Sequence, residues 1–119
     1  MKKLKDSFKF ALSGLKETLI YERNFKIMII IAAVVVVAMF YFTTSRTEKA
    51  VLFAAIFTVL AIELVNTVIE RLLDFLEPAH HEQVRIIKDL MAAIVLVTCL
   101  GAVIIGSIVF WPYIALYLR

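Results

Sequence analysis

A chain of 119 residues that is 63% hydrophobic and 19% charged, with only 3 Gly and 2 Pro, is too apolar for an ordinary soluble domain. The same balance excludes a disordered or linker-rich chain, and the length accommodates one domain. The single cysteine, Cys99, lies in an apolar run, which excludes a disulfide framework and a cysteine-based zinc site. A net charge of +3 raises nucleic acid as a partner, but the lysines line one helix face with no aromatic stacking platform, which argues against it.

At the N-terminus, Leu4, Phe8, Ala11, Leu12, Leu15 and Leu19 recur at helical spacing, with Lys2, Lys5, Lys9, Ser13 and Lys16 on the far side. The pattern predicts a basic amphipathic helix over residues 1–24, lying in the inner membrane interface. Lipid anchoring accounts for its lysines but not for Glu22 at the membrane entry. Three apolar blocks follow, at residues 27–43, 50–69 and 90–111, the second interrupted only by Glu63 and Asn66. Crossing a bilayer core takes about 20 helical residues, so they predict spans over 27–45, 50–70 and 90–111 with a cytoplasmic loop over 71–87. No small-residue cleavage site follows the first block, which makes it a retained span. The expected fold is an all-α membrane protein forming one domain over residues 1–119.

Charge sets the expected orientation. Residues 1–26 hold seven basic side chains, and Arg71, Arg85 and Lys88 flank the second and third spans. Only Arg46, Lys49 and Arg119 fall on the other side. The excess places the N-terminus and the 71–87 loop in the cytoplasm of a plasma-membrane protein. Tyr41, Phe42, Trp111, Tyr113 and Tyr117 then fall where an outer aromatic belt belongs.

An ionisable residue inside a span is costly, about 2.5–3.5 kcal/mol on insertion scales, and marks function by default. The second span carries Glu63, Asn66, Thr67, Glu70 and Asp74, which fall within an arc of about 100°. A solvated helix end explains Glu70 and Asp74 but not Glu63, about 10 Å deeper at 1.5 Å per residue. Such a stripe is hard to hide in one three-span protomer, and packing against other copies is the cheapest shield, so oligomerisation is expected. A purely structural reading makes it polar glue between helices. Lys88 and Asp89 precede a small-residue step, Ala92-Ala93, that permits close helix approach. With Glu22, Glu63 and Glu70 near the same face, one cation stands beside several carboxylates, which would otherwise raise one another's pKa values. Hard oxygen ligands suit Mg²⁺, which takes one or two carboxylates plus substrate phosphates. The combination points to phosphoryl transfer at a cytoplasmic membrane surface.

Familiar kinase signatures are missing. Gly101 and Gly106 have the outer spacing of a phosphate-binding loop and Ser107 follows, but the lysine is absent and the run is intramembrane. These are packing glycines.

The motifs that remain resemble the small prokaryotic integral-membrane diacylglycerol kinase and undecaprenol kinase family. They are Ala11-Leu12-Ser13-Gly14-Leu15 through Glu22-Arg23-Asn24-Phe25, then Glu63-Leu64-Val65-Asn66-Thr67-Val68-Ile69-Glu70 with Asp74, and Lys88-Asp89-Leu90-Met91-Ala92-Ala93. The resemblance implies a homotrimeric helical bundle with active sites between subunits, using ATP and Mg²⁺. It makes Glu63 the catalytic base, with Asn66 orienting the base or the lipid alcohol and Ala92 beside that substrate. It makes Glu22 and Glu70 the magnesium ligands and nucleotide contacts, joined at the nucleotide by Lys88, Asp89, Lys3, Phe10 and His81. Phe10 stands where some relatives have tyrosine, Lys3 where some have arginine, and Met28 where many have histidine. Arg23-Asn24-Phe25 after Glu22, Pro78 and the Phe110-Trp111-Pro112-Tyr113 tail favour the Gram-positive branch, hence undecaprenol over diacylglycerol. Two other classes compete. A small proton-coupled multidrug exporter also uses an intramembrane glutamate but needs neither Lys88-Asp89 nor Glu22 and Glu70. A noncatalytic scaffold needs none of them.

Overall fold

In hydrocarbon every backbone N–H and C=O must be bonded within its own segment, so apolar blocks of this length become helices. The computed structural model describes residues 2–76 and 82–119, and among these every regular element is helical. They are α1 (Lys2–Tyr21), α2 (Arg23–Tyr41), α3 (Arg46–Leu76) and α4 (Glu82–Tyr117). The last three are long and apolar enough to cross a membrane, as the sequence predicts.

The helices outrun the apolar blocks. At 1.5 Å per residue α3 and α4 are about 46 and 54 Å long, against about 30 Å of hydrocarbon. Their charged ends therefore project past the membrane core. The expected loop over 71–87 is accordingly helical at both ends, over residues 71–76 and 82–87. Arg85 pairs with Glu82 one turn back and with Asp89 one turn on (Nη1 to Oδ2, 3.0 Å), which supports the first turns of α4. Pro112 does not end α4, which continues to Tyr117. The expected belt residues Tyr41, Phe42, Tyr113 and Tyr117 form one ring cluster around Phe42, joined by Phe110, while Trp111 faces outward.

α3 is the spine, packed against α4 from Glu48–Tyr113 at one end to Asp74–Lys88 at the other and also against α2, while α1 contacts α2. The apolar core is small: Met39, Leu52 and Val109 are buried together, with Val35, Phe53, Ile105 and Phe110 packed around them. That core lies toward the aromatic end. Phe25 and Met91 are buried separately, toward the other end, where the charged side chains collect.

Candidate active site

The polar stripe of α3 is graded by depth. Glu63 is 4% exposed and Thr67 is buried, Asn66 is half-buried, and Glu70 and Asp74 are exposed. Thr67 donates its hydroxyl to the Glu63 carbonyl (3.1 Å), so it satisfies itself without a partner helix. The neighbours sensed by the Glu63 carboxylate are the Asn66 side chain and the charges of Glu70 and Glu22. One protomer thus sets Asn66 beside the expected base, with both expected metal carboxylates near enough for their charges to act on it. The expectation that other copies must hide the stripe is corrected for Glu63 and Thr67, which the protomer's own helices cover.

Glu22 owes its place to a break in the backbone. It is extended (φ −103°, ψ 109°) at the N-cap of α2, and its side chain makes no capping bond. Its carboxylate reaches α3 instead, where Arg71 donates Nε (3.3 Å) and Nη2 (2.9 Å) to the same oxygen, Oε1. Arg71 Nη1 also donates to Glu17 Oε1 at 3.4 Å. The bond to Glu22 pushes the guanidinium pKa above its ordinary value. Arg71 is the residue that sequence reasoning missed, having counted only as a positive charge. Its one legible signal was its place directly after Glu70.

Lys88, about two turns into α4, donates to Asp74 Oδ1 at 2.8 Å and so ties α4 to α3. That bond, aided by the charges of Asp74 and Glu70, pushes the Lys88 pKa up. Asp89 turns toward Arg85 on the helix surface rather than into this group. Ala92 is exposed on α4. Lys3 and Phe10 are exposed on α1, about 28 and 18 Å from Glu22 along a straight helix, and do not join the cluster. His81, with Ala79 and His80, lies outside the described residues.

Glu70 makes no hydrogen bond or ion pair among the described residues, and Glu22 Oε2 lies outside the Arg71 bonds. Two carboxylates offering free oxygens fit a magnesium ion whose remaining ligands are substrate phosphates and water. No set of three or more acidic, histidine or cysteine side chains forms a complete cage among the described residues. The group suits a metal that arrives with a nucleotide.

The sequence pattern of the family described as prokaryotic diacylglycerol kinase matches residues 9–110. The chain belongs to that family. It is therefore an enzyme, a membrane lipid kinase, and the exporter and scaffold readings fall away. Two relatives agree. Undecaprenol kinase of Bacillus subtilis is 34% identical over 106 residues, covering 89% of this chain and 86% of its own length. A diacylglycerol kinase of Synechocystis is 31% identical over 107 residues, covering 89% of this chain and 61% of that longer protein. Glu22, Glu63, Glu70, Lys88 and Asp89 of this lipid kinase all lie inside the matched stretch, whereas Lys3 precedes it.

Proposed function

We propose that the enzyme transfers the γ-phosphoryl group of ATP, with Mg²⁺, to the hydroxyl of undecaprenol at the cytoplasmic face of the plasma membrane, as a homotrimer. The observation that carries this reading is the depth gradient on α3: a buried carboxylate at Glu63 and exposed carboxylates at Glu70 and Asp74 on one helix face. A lipid alcohol reaches Glu63 from the bilayer, and a nucleotide reaches Glu70, Glu22 and Lys88 from water. The thirteen basic residues support the orientation, ten of them preceding the first span or falling between the second and third.

Phosphoryl transfer asks the protein mainly for positioning and charge neutralisation. Glu63 accepts the alcohol proton as its oxygen attacks the γ-phosphorus. The bond from that phosphorus to the bridging oxygen breaks, and ADP leaves. Asn66, beside the Glu63 carboxylate, holds base and alcohol in register. Lys88 turns from Asp74 to the phosphates, where its charge offsets the charge on the transferred group. Glu22 and Glu70 would hold Mg²⁺, which would supply further charge neutralisation there. The likeness to the Synechocystis diacylglycerol kinase supports a second reading, diacylglycerol as acceptor, since either lipid offers one hydroxyl below apolar chains.

Labelled ATP with a panel of purified lipids, using wild type and Glu63→Gln side by side, tests both levels. Undecaprenol is expected to be labelled preferentially, with Glu63→Gln slower by about 10²–10⁴-fold. Preferential labelling of diacylglycerol overturns the choice of lipid. Undiminished turnover by Glu63→Gln overturns the mechanism.

A further inference from the structure

Nothing local fixes the Glu22 side chain. It stands in extended backbone between two helices and makes no capping bond. Yet a metal ligand must be held in place, and an unfixed glutamate side chain loses rotamer freedom when it binds. The group that fixes it comes from α3. Arg71 Nε and Nη2 converge on Glu22 Oε1, while Nη1 reaches Glu17 on the other side of the helix break. The guanidinium thus ties the end of α1 and the start of α2 to the residue that follows Glu70.

We infer that Arg71 is the positioning residue that presents Glu22 Oε2 to the divalent cation. This rests on the proposed role of Glu22 and Glu70 as metal ligands. Because all Arg71 bonds to Glu22 end on Oε1, they orient the carboxylate and leave its second oxygen free. A guanidinium so near a cation site would ordinarily repel the metal. Here two carboxylates, Glu17 and Glu22, stand against one guanidinium, so the group remains negative. Glu17 supplies the compensation that lets an arginine serve as the outer support of a cation site. A lysine cannot replace it, because an ammonium has no planar fork to grip one oxygen while reaching another residue.

Mn²⁺ binding tests this without turnover. Free Mn²⁺ is followed by electron paramagnetic resonance in detergent-solubilised full-length enzyme holding the nonhydrolysable analogue AMP-PCP. Wild type, Arg71→Gln, Arg71→Lys and Glu22→Gln are compared, each with a thermal melt. Loss of an outer-sphere partner costs typically about 10–100-fold in metal affinity, and Arg71→Gln is expected within that range with a melt close to wild type. Arg71→Lys, which keeps the charge without the fork, is expected between the two, and it carries the test alone if Arg71→Gln does not fold. Affinity for Mn²⁺ equal to or tighter than wild type in Arg71→Gln, or wild-type affinity in Arg71→Lys, overturns the inference. Glu22→Gln separates the two layers. Unchanged Mn²⁺ affinity there removes Glu22 as a ligand, whereas weakening there but not in the Arg71 variants removes only the positioning role.

Discussion

Lys88 has two possible jobs, and their magnitudes separate them. Its pair with Asp74 is an exposed one, with side chains 41% and 64% accessible, and exposed pairs contribute about 0–1 kcal/mol. If the pair were its purpose, replacing either partner would change little. A lysine facing phosphates in the reacting complex matters far more. Lys88→Met is therefore expected to raise the KM for ATP at least about tenfold or cut kcat by a similar factor, about 1.4 kcal/mol in transition-state terms, with the melt almost unmoved. Asp74→Asn is expected to retain most activity. Equal, mild effects of the two substitutions in a steady-state ATP titration would reduce Lys88 to a surface tether. The sequence exposed the residues whose cost is local: a carboxylate in an apolar run announces itself, so Glu63 was legible. Arg71 and Glu17 were not, because each is an ordinary charge at a helix end until folding sets one against the other.

The elements were legible for the same reason, since uninterrupted apolar blocks have one viable conformation in lipid. Their ends were less so. The 71–87 stretch is polar enough to pass for a loop, and only the Glu82–Arg85–Asp89 spacing betrays a helix start. The short connection between α2 and α3 hides more structure than its length suggests. Thr43 takes a left-handed conformation (φ 50°), and Thr44, buried, donates its hydroxyl to the Met39 carbonyl at 2.8 Å. Ser45 and Glu48 then form a reciprocal cap on α3: Ser45 N–H donates to Glu48 Oε1 (2.8 Å) and Glu48 N–H to Ser45 Oγ (3.1 Å). Tyr113 O–H donates to the same Glu48 oxygen at 2.6 Å, which binds the start of α3 to the end of α4. Ser45→Ala is expected to cost about 1 kcal/mol through the lost cap. Thr43→Asn is expected to stabilise, because asparagine tolerates the left-handed region that a β-branched residue resists. Both are read from melts in one detergent, with lipid phosphorylation unchanged because the turn lies at the opposite end from Glu63.

At the scale of the whole molecule, the broad apolar surface argues nothing about assembly, since lipid covers it as well as protein does. Thr58, Thr98 and Ser107 donate to their own helix carbonyls and need no neighbour either. The argument for shared sites comes from what one protomer fails to gather. Glu22, Glu63, Glu70, Arg71 and Lys88 meet at one end of one chain, while Lys3 and Phe10 stand far along α1. If both serve the nucleotide, they reach it from an adjacent copy, and a trimer arranges this for each of three sites at once. Mixed assemblies distinguish the cases. Co-purified Glu63→Gln and Phe10→Ala subunits are expected to regain activity, because a neighbour restores what each lacks. Glu22→Gln mixed with Lys88→Met is expected to be no more active than the two variants alone, since both residues belong to one chain's cluster. Cross-linking in lipid nanodiscs should show a species of three 13.5 kDa protomers in all mixtures. Complementation by the second pair but not the first would place the division between subunits through the cluster itself, and α1 would return to being a lipid anchor.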